Sequence, residues 1–302
     1  MNNYFLCRTP FHIAMALRII KKFNVPKPVF FIIATSNDDK VLHYIKTCKE
    51  DIEYFYYIKK SNSKFLNFIC FICFSILCRF RGNIYISAIH DKYALILLSF
   101  IKFLNIYTYD DGIANINYTG VFFQKNKHKF LYWSEYRIRI ESRKHYTIFK
   151  NCQNISENTL YFSFFENDNK CALLSKNEKV KIFIGQPYNE IFDDDFGKEE
   201  LEKVMSVLDI DYYILHPREN RIDLNRPCIE SSGVLEDFIF DYFGKDLDIE
   251  VYTFLSTSVV ILSDCPNVTC FALRNSFLQS KYPTIYEMYD KFKINILEVD
   301  LV

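Results

Sequence analysis

Surplus charge of either sign is missing from this chain: 37 lysines and arginines face 37 aspartates and glutamates over 302 residues. Nucleic acids are bound chiefly through their phosphates by a basic field, so the balance argues against a nucleic-acid partner. Glycine is scarce as well, with seven in all. There is no Gly-rich phosphate loop, no dinucleotide-binding G-x-G-x-x-G and no D-x-D placed after a strand. NTPase, dehydrogenase and metal-dependent transferase chemistry all lose ground. The acidic run "DDD" at 193–195 reads as a solvated charge cluster or part of a helix start.

A charged leader followed by an apolar stretch and a small-residue cleavage site is also lacking, and "MNNYFLC" reads as a strand from the outset. A cytoplasmic protein is the expectation. Ten cysteines in a chain this long do not make a disulfide framework, and most lie in apolar runs, where a reduced thiol behaves as a small hydrophobe. Cys70 and Cys73 have C-x-x-C spacing but no second ligand pair, so neither zinc nor redox chemistry is expected of them. The most apolar stretch, "FLNFICFICFSILCRF" at 65–80, is shorter than the ~20 residues of a spanning helix and is broken by Asn67 and Ser75. Lys59, Lys60, Lys64, Arg79 and Arg81 flank it. That pattern suits a helix lying on an anionic membrane surface, and equally a buried or subunit-contact helix.

What is present is apolar residue in abundance, half of the chain, enough for two cores of ordinary size. Continuous apolar runs alternate with helical patterns: 4–7, 29–34, 84–89 and 106–110 in the first half, 180–185, 212–215, 249–254 and 268–273 in the second. Such runs indicate parallel strands covered on both faces. Thr9 and Pro10 cap and open a helix on "FHIAMALRIIKKF". A second helix is expected in "SSGVLEDFIFDYF", with Leu235, Phe238, Ile239 and Tyr242 on one stripe and Glu236 near its start. A polar region at about 151–179 separates the halves. The expected architecture is α/β: two Rossmann-like, doubly wound domains, 1–155 and 156–302, facing across a cleft, with ligands at the carboxyl ends of the strands.

Polar clusters follow four of those strands: Asp110-Asp111-Gly112, Gly185-Gln186-Pro187, His216-Pro217-Arg218 and Leu255-Ser256-Thr257-Ser258. Singly, each reads as a turn, a cap or a core histidine. Together they suit a nucleotide-sugar transferase. Ser256 and Thr257 offer donors to a phosphate, His216 can bind and neutralise a departing nucleotide, and Asp110, Asp111 or Glu190 can take a proton from an acceptor hydroxyl. Glu236 suits ribose hydroxyls, Arg218 an anion, and Pro217 fixes the chain's exit from its strand.

The segments "YDDGIANI", "HYTIFKN", "IFIGQP", "LHPR", "VLEDFIFD" and "EVYTFLSTSVVILSDCPNVTCFAL", in this order and spacing, resemble glycosyltransferase family 52, the bacterial lipooligosaccharide sialyltransferases. The resemblance implies a GT-B enzyme that moves sialic acid from CMP-sialic acid to a galactose-type hydroxyl of a surface glycan, with inversion and with no metal or other cofactor. It implies His216 as general acid toward the CMP phosphate, Ser256 as a phosphate contact, Glu236 near the nucleoside, and Gly185, Gln186 and Pro187 as the donor loop. One position departs. The family's proposed base is an aspartate where this chain has Tyr188, so Glu190, or Asp110 as in more distant bacterial sialyltransferases, is left for that role. The family also implies a homodimer, swapped or not, with the apolar extension near 61–80 as its contact in preference to membrane insertion; peripheral contact at the inner face of the cytoplasmic membrane is the secondary expectation from the cations that flank that stretch. The rival readings are a transferase of another donor, a UDP-hexose or a CMP-linked nonulosonate, and a non-catalytic scaffold.

Overall fold

The computed structural model describes residues 1–33, 38–47, 52–58, 72, 82–124, 129–165, 179–192, 196–216, 218–219, 223–244 and 247–300. The chain divides into two compact units, Met1–Phe164 and Phe165–Val302. Among the described residues, the first holds strands β1 (Asn2–Cys7), β2 (Pro28–Ile33), β3 (Tyr54–Ile58), β4 (Gly82–Ile86), β5 (Asn105–Tyr109), β6 (Ser142–Thr147) and β7 (Thr159–Tyr161). They form one parallel sheet in the order β3-β2-β1-β4-β5-β6-β7. β2 is buried along its whole length and β1 along all but its first residue, as continuous apolar runs require when helices cover both faces. Phe5 stacks on Tyr85 at 4.2 Å across the central pair.

Register at the opposite end is fixed by an asparagine ladder. Asn83 donates to Asn3 at 2.8 Å, Asn105 donates to Asn83 at 2.7 Å, and Asn3 donates to the Pro26 carbonyl at 2.6 Å. A one-residue slip would leave these largely buried amides unpaired. The helix Pro10–Phe23 begins as the sequence indicates, with the Thr9 hydroxyl accepting from the His12 amide at 3.2 Å, and ends at Asn24 in the left-handed region (φ 48°).

The second unit holds β8 (Lys179–Ile184), β9 (Tyr212–Leu215), β10 (Cys228–Glu230), β11 (Asp248–Thr253), β12 (Val268–Arg274) and β13 (Asn295–Glu298). They too are parallel, in the order β10-β9-β8-β11-β12-β13. In each sheet the order reverses beside the first strand, between β1 and β4 and between β8 and β11. That reversal is where a doubly wound sheet opens a crevice at its carboxyl edge. The helix Leu235–Phe243 forms as expected and buries Phe238 and Ile239, but Tyr242, placed on the same stripe by its spacing, is exposed. Of the apolar extension at 61–80 only Ile72 lies within the described residues, and it packs on the first unit's core. The acidic run 193–195 lies outside them. Among the described residues no helix is long and apolar enough to cross a membrane.

Candidate active site

In the second unit the crevice lies between the ends of β8 and β11. Gly185, Gln186 and Pro187 leave β8, and the buried Gln186 amide braces the two strand ends. Its Nε2 donates to Thr253 Oγ1 at 2.8 Å, and its Oε1 accepts from the Leu255 amide at 3.1 Å. Thr253 Oγ1 also accepts from the Ser256 amide at 3.3 Å, and the Ser256 hydroxyl accepts from the Ser258 amide at 3.4 Å. Thr257 stands at the cap of the short helix Ser258–Leu262. Ser256 and Thr257 thus sit on a turn whose backbone is held from β8 through Gln186.

His216 follows β9, which pairs with β8. Its carbonyl accepts from the Glu219 amide at 3.0 Å, closing a tight turn, and its own amide donates to Glu219 Oε2 at 3.1 Å. The Arg218 amide donates to His216 Nδ1 at 3.1 Å. A ring nitrogen that accepts an amide hydrogen carries none itself, so the neutral ring holds its hydrogen on Nε2. Arg218 pairs with Glu190 at 3.1 Å, both side chains mostly solvated, so the pair contributes little to stability. Pro217 lies outside the described residues. Glu236 is buried in the first turn of its helix, a position that favours a carboxylate.

Glu219 escaped sequence reasoning. Its Oε1 accepts the Tyr213 hydroxyl, which is 2.9 Å from the Tyr188 hydroxyl. Burial pushes the Glu219 carboxyl above the usual value, against the Tyr213 and His216 hydrogen bonds. Burial likewise lifts both phenols, which therefore stay protonated and able to donate. Tyr188, in the position where the resemblance implies an aspartate, is the buried end of this chain of hydroxyls. The only local signal was a glutamate three residues after the histidine, the spacing of a side-chain-closed turn.

Gly185 makes room for the same group. A Cβ there would sit 2.6 Å from the Tyr213 hydroxyl and would run into the Glu219 carboxylate. Gly185→Ala is therefore expected to displace the His216 turn and to destabilise the protein by about 1–3 kcal/mol, the usual cost of overpacking. A thermal melt run beside Glu219→Gln, which keeps the volume, checks this; an unchanged midpoint for Gly185→Ala would rule it out.

In the first unit the Asp-Asp-Gly pair divides. Asp110 is fully buried: Oδ1 meets His145 Nε2 at 2.8 Å and Asn154 Nδ2 at 3.2 Å, and Oδ2 accepts from the Ile148 amide at 2.8 Å. Asp111 has a side chain 28% exposed and meets His12 Nε2 at 2.5 Å. The Arg8 amide donates to His12 Nδ1 at 3.1 Å, so the ring's hydrogen faces Asp111. Burial alone would raise the Asp111 carboxyl, but His12 and then Arg8 outweigh it and hold it below the usual value. Arg8 itself bonds Asp91, which caps the helix Lys92–Phe100. His12 and Arg8 were legible in the sequence only as parts of a helix start. Among the described residues no group of three or more His, Cys, Asp or Glu side chains is arranged to hold a metal ion.

The chain is similar along nearly its whole length to a Pasteurella multocida CMP-N-acetylneuraminate:beta-galactoside alpha-2,3-sialyltransferase, 26% identical over 98% of this chain and 99% of the relative. A Neisseria meningitidis N-acetyllactosaminide alpha-2,3-sialyltransferase is 27% identical over 99% of this chain and 86% of the relative. Among solved structures, a Neisseria meningitidis UDP-GlcNAc 2-epimerase bound to UDP-GlcNAc superposes with a TM-score of 0.50 at 10% identity, covering 97% of this chain and 91% of that one. That likeness is of fold: two Rossmann-like units in tandem, the composition of a GT-B protein. The profile of glycosyltransferase family 52 matches residues 27–276, and the chain belongs to that family.

Proposed function

We propose that this enzyme transfers sialic acid from CMP-sialic acid to a galactoside hydroxyl in α2,3 linkage, on a glycan of a bacterial surface, with inversion and without a resident metal. The observation that carries the reading is the His216 turn beside the β8–β11 crevice, in a chain whose full-length relatives bear the names of α2,3-sialyltransferases. The bond from the anomeric carbon to the phosphate oxygen breaks and CMP leaves with the electron pair. His216 donates its Nε2 hydrogen bond to that phosphate, while the Ser256–Thr257 turn and Arg218 offer further donors. The acceptor oxygen bonds the anomeric carbon and its proton passes to a carboxylate. Asp110, closed to solvent and holding three donors, is poorly placed for this. Asp111 and Glu190 are open enough for the task.

CMP is expected to raise the melting midpoint by mass action and UDP to leave it unmoved. Incubation with CMP-sialic acid and lactose is expected to release CMP at a rate that survives chelator. A midpoint moved by UDP alone would point to another donor. Stabilisation by CMP with no CMP released from the sugar nucleotide would point to a binding subunit. A homodimer and a place at the inner face of the cytoplasmic membrane belong to the same reading, and light scattering decides the first.

A further inference from the structure

The helix Lys129–Glu141 carries large apolar side chains on its outer side as well as its inner one. Its buried side carries Ser134, Glu135 and Ile138, and its outer side carries Trp133, Tyr136 and Ile140, which are 67%, 45% and 66% exposed. Spacings of three and seven put those three side chains on one face. A helix on a water-facing surface keeps its outer side polar. The polar inner side has partners within the unit: Ser134 meets the Ser99 hydroxyl at 2.7 Å, and Glu135 Oε1 pairs with Arg139 at 2.9 Å. The Ser134–Ser99 contact also brings the neighbouring helix end close, where Phe100 and Leu104 are 70% and 65% exposed. Apolar exposure on this scale, gathered on two adjoining elements, marks a contact surface.

Charge selects the partner. Both acidic residues of the helix are neutralised within it, Glu135 by Arg139 and Glu141 by Arg137 at 3.0 Å. Lys102, between Phe100 and Leu104, and Arg143 and Lys144, just past Ile140, are exposed and have no carboxylate partner among the described residues. An aromatic and aliphatic face with unpaired cations beside it matches the boundary of an anionic bilayer, where Trp and Tyr rings settle at headgroup level and lysines and arginines meet the lipid charge. We propose that this face of the first unit rests on an anionic lipid surface. These residues differ from the 61–80 stretch in which the sequence suggested membrane contact, and the inference does not depend on which sugar the enzyme transfers.

Trp133 is the single tryptophan of the chain, so its emission reports on this face alone. Added to mixed phosphatidylcholine and phosphatidylglycerol vesicles, the protein is expected to show blue-shifted emission, quenching by brominated acyl chains, and release by salt. The double substitution Tyr136→Gln and Ile140→Gln keeps Trp133 and changes only exposed side chains. It is expected to weaken partitioning about tenfold or more, with the melting midpoint and the rate on a soluble galactoside unchanged. Emission unaltered by the mixed vesicles overturns the proposal. So does emission already blue without lipid that reddens as a dimer dissociates on dilution, since a second copy then covers the face. Equal partitioning onto phosphatidylcholine alone overturns the choice of an anionic surface.

Discussion

His216→Ala is expected to lower transfer from CMP-sialic acid by about a hundredfold to ten-thousandfold, the range for removing one general acid, while CMP still raises the melting midpoint. The expectation rests on the turn rather than on the histidine alone. The Arg218 amide holds Nδ1, Glu219 holds the His216 amide, and the ring is left with one direction in which to donate. Alanine removes the donor without disturbing Glu219, whose bonds run to backbone and to Tyr213. Initial rates of CMP release and of sialylated product, measured together, check it. Transfer at the wild-type rate would show that the leaving phosphate is served by another group.

Asp110→Ala should fail in a different way, by unfolding. Asp110 and His145 are both wholly buried, and the carboxylate also receives the Ile148 amide and Asn154. Removing it strands a buried imidazole and a buried amide. Breaking a buried pair of this kind costs about 3–5 kcal/mol, which for a unit of this size lowers the melting midpoint by roughly 10 °C. Asp111→Asn, one residue along, removes only the charge of a side chain that is partly in water and should cost far less stability while reducing transfer if Asp111 takes the acceptor proton. Paired melts and rates for the two variants separate the roles. Equal loss of stability in both would contradict the division of the pair.

The central strands were legible because burial on both faces leaves continuous apolar runs, and β1, β2, β8 and β9 lie where those runs indicate. The strands not foreseen lie toward the outside of the sheets. β6 begins "SRK", β7 and β10 have three residues each, and β13 is the partly exposed "NILE", so a one-sided environment left no long apolar signal there, whereas β3, "YFYYI", carries such a run and was missed all the same. At the site, the four strand-end clusters were readable because short polar groups after apolar runs stand out. Their internal division was not. Asp110 and Asp111 are identical in local sequence, and only contacts from His145 and His12, distant in the chain, tell them apart. Glu219 depends in the same way on Tyr213 below it and on the bare Gly185 beside it.

Strand β7 has a consequence for the order in which the protein is made. The first sheet grows outward from β1, and its far edge is added last, by a three-residue strand at Thr159–Tyr161 whose neighbour β6 has until then only one partner. A ribosome must therefore deliver the chain through Tyr161 before β6 gains its second partner, and until that point the longer β6 is the exposed, pairing-competent edge. A fragment cut at residue 155 would keep the six-residue β6 as its edge, whereas one ending after Phe164 would present the three-residue β7 there instead.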